Sequence, residues 1–183
     1  MRILQTVRGL LDEGRFHEMT MEQVAERANV SRAGLYQHFD SRLALVDAIC
    51  DLFGASPSLL AVRRAVRLDD YHGAVALVME NCAGFWASEE KVFDQLYGVA
   101  AIDPSAKALV ERQRADRRQE METFARRLRR AGKLRDGVSE RQAVARLMVL
   151  TSFETYKELV LAGLSMRDRV KTLTAMGEQL LLD

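Results

Sequence analysis

Residues 20–39 read Thr-Met-Glu-Gln-Val-Ala-Glu-Arg-Ala-Asn-Val-Ser-Arg-Ala-Gly-Leu-Tyr-Gln-His-Phe. Thr20 and Gln23 have the three-residue spacing of a capping box, which marks the start of a helix. Ser31 is placed to cap a second helix, which we expect to continue toward residue 39. Asn29 lies between the two helices, in a turn whose left-handed backbone favours glycine first and asparagine next. The stretch therefore predicts a helix-turn-helix.

The sequence on both sides of this motif predicts further helices. Apolar residues within positions 3–11 recur with the spacing of one helix face, and this helix should end near Gly14. Residues 14–19 are expected to be a connector. After the motif, Ser41 should cap a fourth helix that runs to Phe53.

A break in composition follows this fourth helix. Residues 54–57 read Gly-Ala-Ser-Pro, and such clusters interrupt regular structure. We therefore place a domain boundary there, between a small domain at residues 1–53 and a larger one at residues 54–183.

The larger region has the pattern of helices throughout. We expect helices at about 69–87 and 88–101, and a long one from Pro104 to Gly132, because proline suits the first helical position and glycine the position after the last. The long helix would span about 42 Å at 1.5 Å per residue. Ser139 and Gln142 form another capping box for a helix to Gly163, and Ser165 opens the last helix. No stretch predicts a strand, so the fold class is all-α.

Composition limits the classes of function. Hydrophobic residues make up 48% of the 183 residues and charged residues 29%, as in a globular protein with a core. Cys50 and Cys82 lie far apart and suggest buried thiols in a reducing compartment rather than a disulfide or metal site. The sequence shows no membrane span and no signal peptide, so a cytoplasmic protein is expected. Histidines at ligand spacing, a catalytic triad pattern and a glycine-rich phosphate loop are also absent, which argues against an enzyme and predicts no cofactor.

Residues 24–45 resemble the signature of the TetR family of transcriptional regulators. The shared features are an alanine-rich helix, a turn ending in Val-Ser, a basic residue, a Leu-Tyr pair, a His-Phe pair and a following apolar helix. The resemblance extends over about residues 3–53. It implies an N-terminal three-helix DNA-binding domain with a helix-turn-helix, and a larger C-terminal helical domain for effector binding and dimerisation.

The resemblance also implies which residues contact DNA. The N-terminal part of the second helix of such a motif enters the major groove, so Arg32, Ala33 and Gln37 are the candidates for base contacts. The candidates for phosphate contacts, which fix register without reading sequence, are Thr20, Ser31, Tyr36, His38 and Arg42. Tyr36 and Phe39 could instead be core aromatics, His38 a solvated side chain, and Thr20 and Ser31 helix caps alone.

Two features depart from the family pattern. Gly34 stands where relatives usually carry a threonine that contacts a phosphate, and it either allows a close backbone approach to DNA or weakens the helix. The family also usually has a basic arm before the first helix, whereas this sequence starts almost at that helix. In addition, residues 1–53 hold six arginines and eight acidic residues. DNA affinity depends on neutralised phosphates, so the few positive charges must be well placed.

A small-molecule effector is the expected ligand of the larger domain. In the family, a cavity among the central helices binds the effector and changes the spacing of the two DNA-binding motifs. A mostly apolar effector is expected, and ordinary core packing is the alternative. The candidate effector-binding residues are Met79, Cys82, Trp86, Phe93, Tyr97, Phe124 and Met148.

A homodimer on a palindromic or nearly palindromic operator is the expected assembly, because one helix-turn-helix binds weakly and two-fold pairs match two half-sites. The 139–162 helix is apolar on nearly all sides, which indicates burial on both faces. With the last helix it would form an intersubunit four-helix bundle, as in the family. The candidate interface residues are Val144, Leu147, Phe153, Val170, Leu173, Met176 and Leu180.

Other functions remain open on the sequence alone. The acidic N-terminal region and Gly34 would also fit a dimeric helical interaction protein that has lost operator binding. A helical carrier of small molecules is a third possibility. Residues 104–135 hold eleven Lys and Arg against four acidic residues, which we interpret as a solvated helix face rather than a second surface for nucleic acid.

Overall fold

The computed structural model describes residues 2–15, 18 and 20–183. Within these residues the chain forms ten helices and no strand, which confirms the predicted all-α class. Residues 16, 17 and 19 of the predicted connector lie outside the described part. The helices are α1 Arg2–Asp12, α2 Met21–Arg27, α3 Arg32–Tyr36, α4 Arg42–Phe53, α5 Pro57–Ala65, α6 Tyr71–Ala100, α7 Pro104–Arg130, α8 Glu140–Leu150, α9 Phe153–Leu161 and α10 Met166–Leu181.

The chain divides into two compact units. The first contains the residues up to Gly54 together with Glu89–Gln113, and the second contains Ala55–Ser88 together with Arg114–Asp183. The limit at Gly54 lies beside the boundary proposed from sequence. The segment 89–113 was not part of the predicted N-terminal domain, and the division into functional domains stays a prediction.

The first unit is organised around α1. This helix packs against α2 and α4, and its Val7, Leu10 and Leu11 are buried. The last carbonyl groups of a helix have no partner inside the helix. Here the Nε2 atom of Gln95 donates to the Leu11 carbonyl at 2.8 Å, and Lys91 Nζ donates to the Asp12 carbonyl at 2.6 Å. The α6 segment thereby fixes the end of α1.

Ion pairs add a second set of contacts within this unit. Arg8 pairs with Glu89, and Arg112 pairs with both Asp47 and Asp51 of α4, the latter at 3.0 Å. The 89–113 segment therefore contacts both α1 and α4. It holds three Lys and Arg against five acidic residues, so it leaves the unit acidic.

In the second unit, α8 packs mainly against α10. Gly177 of α10 lies close to α6, since a Cβ atom there would come within 2.8 Å of Val75 Cγ1 and 3.2 Å of Met79 Cε. Glycine at this position lets the two helices approach closely.

The structure corrects the prediction of two helices over 69–101. They form one helix, α6, whose first turn is capped by Asp70, with Gly73 N donating to its carboxylate at 3.1 Å. Ser88, at the predicted junction, lies inside this helix. Its hydroxyl donates to the Phe85 carbonyl at 2.9 Å, a bond that an uninterrupted helix accommodates.

The structure also corrects the prediction of one helix over 139–163. The capping box of Ser139 and Gln142 is present, but α8 ends at Leu150 and α9 begins at Phe153. Ser152 has an extended backbone and its hydroxyl accepts from Thr155 N at 3.1 Å, which starts a new helix.

Helix α5 was not predicted. Residues 54–57 were interpreted only as a break, yet Ser56 caps this helix and Pro57 occupies its first turn. The long helix α7 and the left-handed Gly132 after it were predicted correctly. Within the described residues no single helix is long and apolar enough to cross a membrane, and the bent pair of α4 and α5 reaches that length and composition only together.

Candidate DNA-binding interface

The turn of the helix-turn-helix has the geometry that its sequence predicts. Asn29 has a φ of 53°, and among the described residues it is the one non-glycine with a positive φ. An L-residue in this region is strained, but Asn tolerates it better than most. The Val30 amide donates to the Ala25 carbonyl at 3.0 Å and closes the turn.

Side-chain caps fix both helices of the motif. The Thr20 hydroxyl accepts from Gln23 N at 3.2 Å, and the Gln23 side chain accepts from Thr20 N at 2.9 Å, which confirms the capping box. The Ser31 hydroxyl accepts from Gly34 N at 3.0 Å at the start of α3. These caps fix the starts of α2 and α3.

Helix α3 presents nearly all of its surface to solvent. Its anchor is Leu35, which is fully buried. Tyr36 is 41% exposed, so it is not the core aromatic that one alternative suggested. The predicted DNA-contact residues that are exposed are Thr20, Ser31, Arg32, Ala33, Tyr36, Gln37, His38 and Arg42, while Gly34 is half-exposed.

The charges around α3 are paired. Arg32 Nη2 lies 2.8 Å from Glu22 Oε1, and the Arg32 guanidinium lies 5.6 Å from the centre of the Tyr36 ring. The pKa of Glu22 is lowered, first by a hydrogen bond from its own backbone amide, then by Arg32 and by hydrogen bonds from Thr20 and Tyr36. Glu13 pairs with Arg27 at 2.7 Å. Arg27 and Arg32 are therefore held by acidic side chains.

Glu22 was not among the DNA-contact residues predicted from sequence. Glu22 and Arg32 lie ten positions apart on different helices, and the packing of α2 against α3 brings their side chains together. The sequence feature that could have pointed to Glu22 is its position in the first turn of α2, where it is exposed.

The N-terminal sequence matches a known family. Residues 3–49 fit the model described as "Bacterial regulatory proteins, tetR family". The match covers 47 of the 183 residues, and over this N-terminal region the chain is similar to the TetR family. None of the curated proteins matches the chain in sequence.

Solved structures share the TetR-type fold over nearly the whole chain. SmeT in complex with triclosan is 18% identical, with a TM-score of 0.80 over 100% of this chain and 90% of that one. A Saccharomonospora viridis protein in complex with choline is 19% identical, with a TM-score of 0.77 over 100% and 96%. PfmR, a TetR-family transcriptional regulator from Thermus thermophilus, is 19% identical, with a TM-score of 0.66 over 98% and 94%. At these identities the likeness establishes the fold.

The effector-binding residues predicted from sequence fall into two groups. Met79, Cys82, Trp86, Phe124 and Met148 are buried side chains of the second unit. Phe93 and Tyr97 belong to the first unit, where Phe93 packs against Phe53 with ring centres 5.5 Å apart.

Trp86 is the best-defined member of the group in the second unit. Its ring packs edge-on against Phe85, with ring centres 4.9 Å apart, and lies 5.3 Å from Phe153. The Arg117 guanidinium lies 5.9 Å from the ring centre. The indole nitrogen donates to the Thr151 carbonyl at 2.9 Å.

The residues predicted to form a dimer interface also fall into two groups. Val144, Leu147, Phe153 and Leu173 are buried within their own chain, whereas Met176 is 41% exposed. Val170 and Leu180 are half-buried. The large apolar side chains that α8 to α10 expose are Val149, Leu161, Met166 and Met176.

The described residues contain no group of three or more His, Cys, Asp or Glu side chains that could hold a metal ion.

Proposed function

We propose that this chain is a ligand-responsive DNA-binding transcriptional regulator that acts in the cytoplasm, as a repressor released from its operator by a small, mostly apolar effector. The observation that carries the proposal is the exposed surface of α3. A family-matched helix-turn-helix fixes this helix through one buried leucine, Leu35, and leaves Arg32, Ala33 and Gln37 open to solvent. These side chains can meet guanine, a thymine methyl group and adenine, respectively.

The repressor assignment is supported by proteins of the same fold. SmeT is the repressor of the Stenotrophomonas maltophilia multidrug efflux pump SmeDEF, and its structure resembles this chain with a TM-score of 0.71 at 16% identity. The triclosan and choline complexes show that two proteins of this fold hold small molecules.

For the effector, we propose a site among the buried side chains around Trp86 in the second unit. Met79, Cys82 and Met148 are soft, apolar side chains of the same unit and suit an apolar ligand. An effector that binds the DNA-free state more tightly would shift the population away from the operator-bound state.

The decisive experiment is a binding assay with duplexes from the region upstream of the chain's own gene, measured by gel shift over a salt series. We expect salt-sensitive binding, and its loss in the Arg32→Ala, Gln37→Ala double variant. The matched control is Arg114→Ala, Gln119→Ala, which removes the same side-chain types from exposed positions on α7. If no duplex binds under any salt condition, the proposal fails, and the helical interaction protein or the small-molecule carrier becomes the better assignment.

A further inference from the structure

One carboxylate of the DNA-binding motif lies against an arginine that is a candidate for DNA contact. Arg32 Nη2 lies 2.8 Å from Glu22 Oε1. The pKa of Glu22 is lowered, first by a hydrogen bond from its own backbone amide and then by the charge of Arg32. Arg32 in turn lies over the Tyr36 ring at 5.6 Å.

On a duplex of random sequence, which does not offer Arg32 its matched guanine, a DNA phosphate would use this arginine instead. Arginine, threonine and tyrosine side chains are common donors to phosphate oxygens. A carboxylate and a phosphate offer the same kind of charged acceptor to a guanidinium or a hydroxyl group. In the free protein, Glu22 therefore occupies an arginine that the proposed function assigns to DNA.

We propose that the Glu22 carboxylate is an internal competitor for a DNA phosphate, which engages Arg32 in the free protein and releases it when a duplex binds. The inference rests on the proposed DNA-binding function. It explains how an N-terminal region with a net negative charge controls its affinity, because the key arginine is neutralised until a phosphate replaces Glu22.

The exchange is energetically accessible. The side chains of Glu22 and Arg32 are 45% and 68% exposed, and ion pairs at such exposure are weak and screened by salt. A phosphate can therefore displace the carboxylate, at a cost in affinity of about threefold to fivefold per motif.

The salt dependence of binding gives the competitor a specific signature. An arginine that neutralises a phosphate adds about 0.9 to the magnitude of the slope of log K against log salt concentration. While Glu22 stays near Arg32, their charges cancel and part of this contribution is lost. Removing the charge at position 22 should restore it.

The test compares wild type, Glu22→Gln and Glu26→Gln. Glu26 lies on the same helix, is exposed and has no ion pair among those described, so Glu26→Gln makes the same change in net charge away from Arg32. The probe is a fluorescently labelled 30-base-pair duplex of random sequence, followed by anisotropy at several salt concentrations. Thermal unfolding by circular dichroism checks that all three proteins fold.

We expect Glu22→Gln to bind the random duplex about threefold to fivefold more tightly per motif at low salt, with a slope steeper by about 0.9 per motif. Glu26→Gln should stay close to wild type in slope. If the two variants change affinity and slope equally, Glu22 contributes only net charge and the inference is overturned. It is also overturned if Glu22→Gln weakens binding, since Glu22 would then orient Arg32 for DNA.

The same experiment separates this inference from the proposed function. Wild-type binding with no special effect of Glu22→Gln overturns the competitor alone. Failure of wild type and both variants to bind any duplex at low salt overturns DNA binding itself, and the competitor with it. Binding by Glu22→Gln but not by wild type supports both.

Discussion

The indole nitrogen of Trp86 donates a hydrogen bond of 2.9 Å to the carbonyl oxygen of Thr151, between the end of α8 and the start of α9. Both residues are buried. The Thr151 hydroxyl donates back to the Leu147 carbonyl at 2.7 Å. The polar groups of Thr151, at the break between the two helices, are therefore hydrogen-bonded within the second unit. Its carbonyl accepts from the Trp86 side chain of α6, and its hydroxyl donates to the Leu147 carbonyl.

Replacing Trp86 with phenylalanine should lower the free energy of unfolding by about 1–3 kcal/mol, because the buried Thr151 carbonyl loses its donor. Urea denaturation measures this change. As an independent check, the chain has one tryptophan, so its single indole N–H resonance can be followed in deuterated solvent. Slow exchange is expected, and fast exchange in the native protein would contradict the hydrogen bond.

Two glycines should respond in opposite ways to alanine. At Gly177 the added methyl group meets Val75, a stiff β-branched side chain, at 2.8 Å, and such overpacking costs about 1–3 kcal/mol, which exceeds or offsets the gain in helix propensity. At Gly98, in α6, nothing lies within 4 Å, so alanine should raise the stability by up to about 1 kcal/mol. The midpoints of urea denaturation measure the change in stability of both variants. A stabilising Gly177→Ala would argue against the close approach of α10 to α6.

The left-handed turn of the helix-turn-helix can be tested at Asn29. Asn29→Ala should destabilise the protein by about 1 kcal/mol, because alanine pays the full steric cost of a positive φ. Asn29→Gly should be neutral or stabilising, since glycine adopts this conformation freely. Thermal melting of the three proteins would reveal this order, and equal stabilities of the alanine and glycine variants would mean that the turn is not left-handed in solution.

The two thiols should be unreactive in the native protein. Burial raises the pKa of Cys50 and of Cys82 to about 12, because the thiolate loses its hydration. Both groups therefore stay protonated at pH 8 and should react with a disulfide reagent only when the chain unfolds. A folded-state pKa above the unfolded value also means that their contribution to stability is complete below the unfolded pKa near 8.5 and is lost as the pH rises toward 12. Fast labelling at pH 8 without unfolding would refute this.

The proposed dimer can be tested on the exposed apolar surface of α8 and α10. Val149→Asp combined with Met176→Asp places charges at positions that are 61% and 41% exposed, and the change should convert a dimer into a monomer because buried unpaired charges are costly. Ile102→Asp, at an 88% exposed position outside these helices, is the control. Sedimentation equilibrium gives the mass of each protein, and a double variant that stays dimeric would place the interface elsewhere.

Local features were predictable because their physics acts over a few residues. The capping boxes at Thr20–Gln23 and Ser139–Gln142 and the positive φ of Asn29 were all evident from sequence and are present in the structure. A cap joins atoms three residues apart, and a left-handed turn selects its residue type directly. The same reasoning located α3, whereas its candidate DNA contacts came from the family resemblance.

Helix continuity was harder to predict because the same residue types can act in two ways. Ser88 and Ser152 are both serines in apolar helical sequence. Ser88 bonds back into its own helix, whereas Ser152 caps a new one. Thr151 is buried with its carbonyl next to Trp86, and this tertiary contact accompanies the break that the sequence pattern did not predict.

By itself, the sequence determined the all-α class, the helix-turn-helix and its family resemblance, because helix periodicity, caps and turn residues are encoded in neighbouring positions. Only the tertiary structure decided that residues 89–113 join the first unit and that Leu147 is covered by its own chain. It also decided that Glu22 meets Arg32. Such relations depend on which helix faces pack together, and side chains on different helices have no fixed spacing along the sequence.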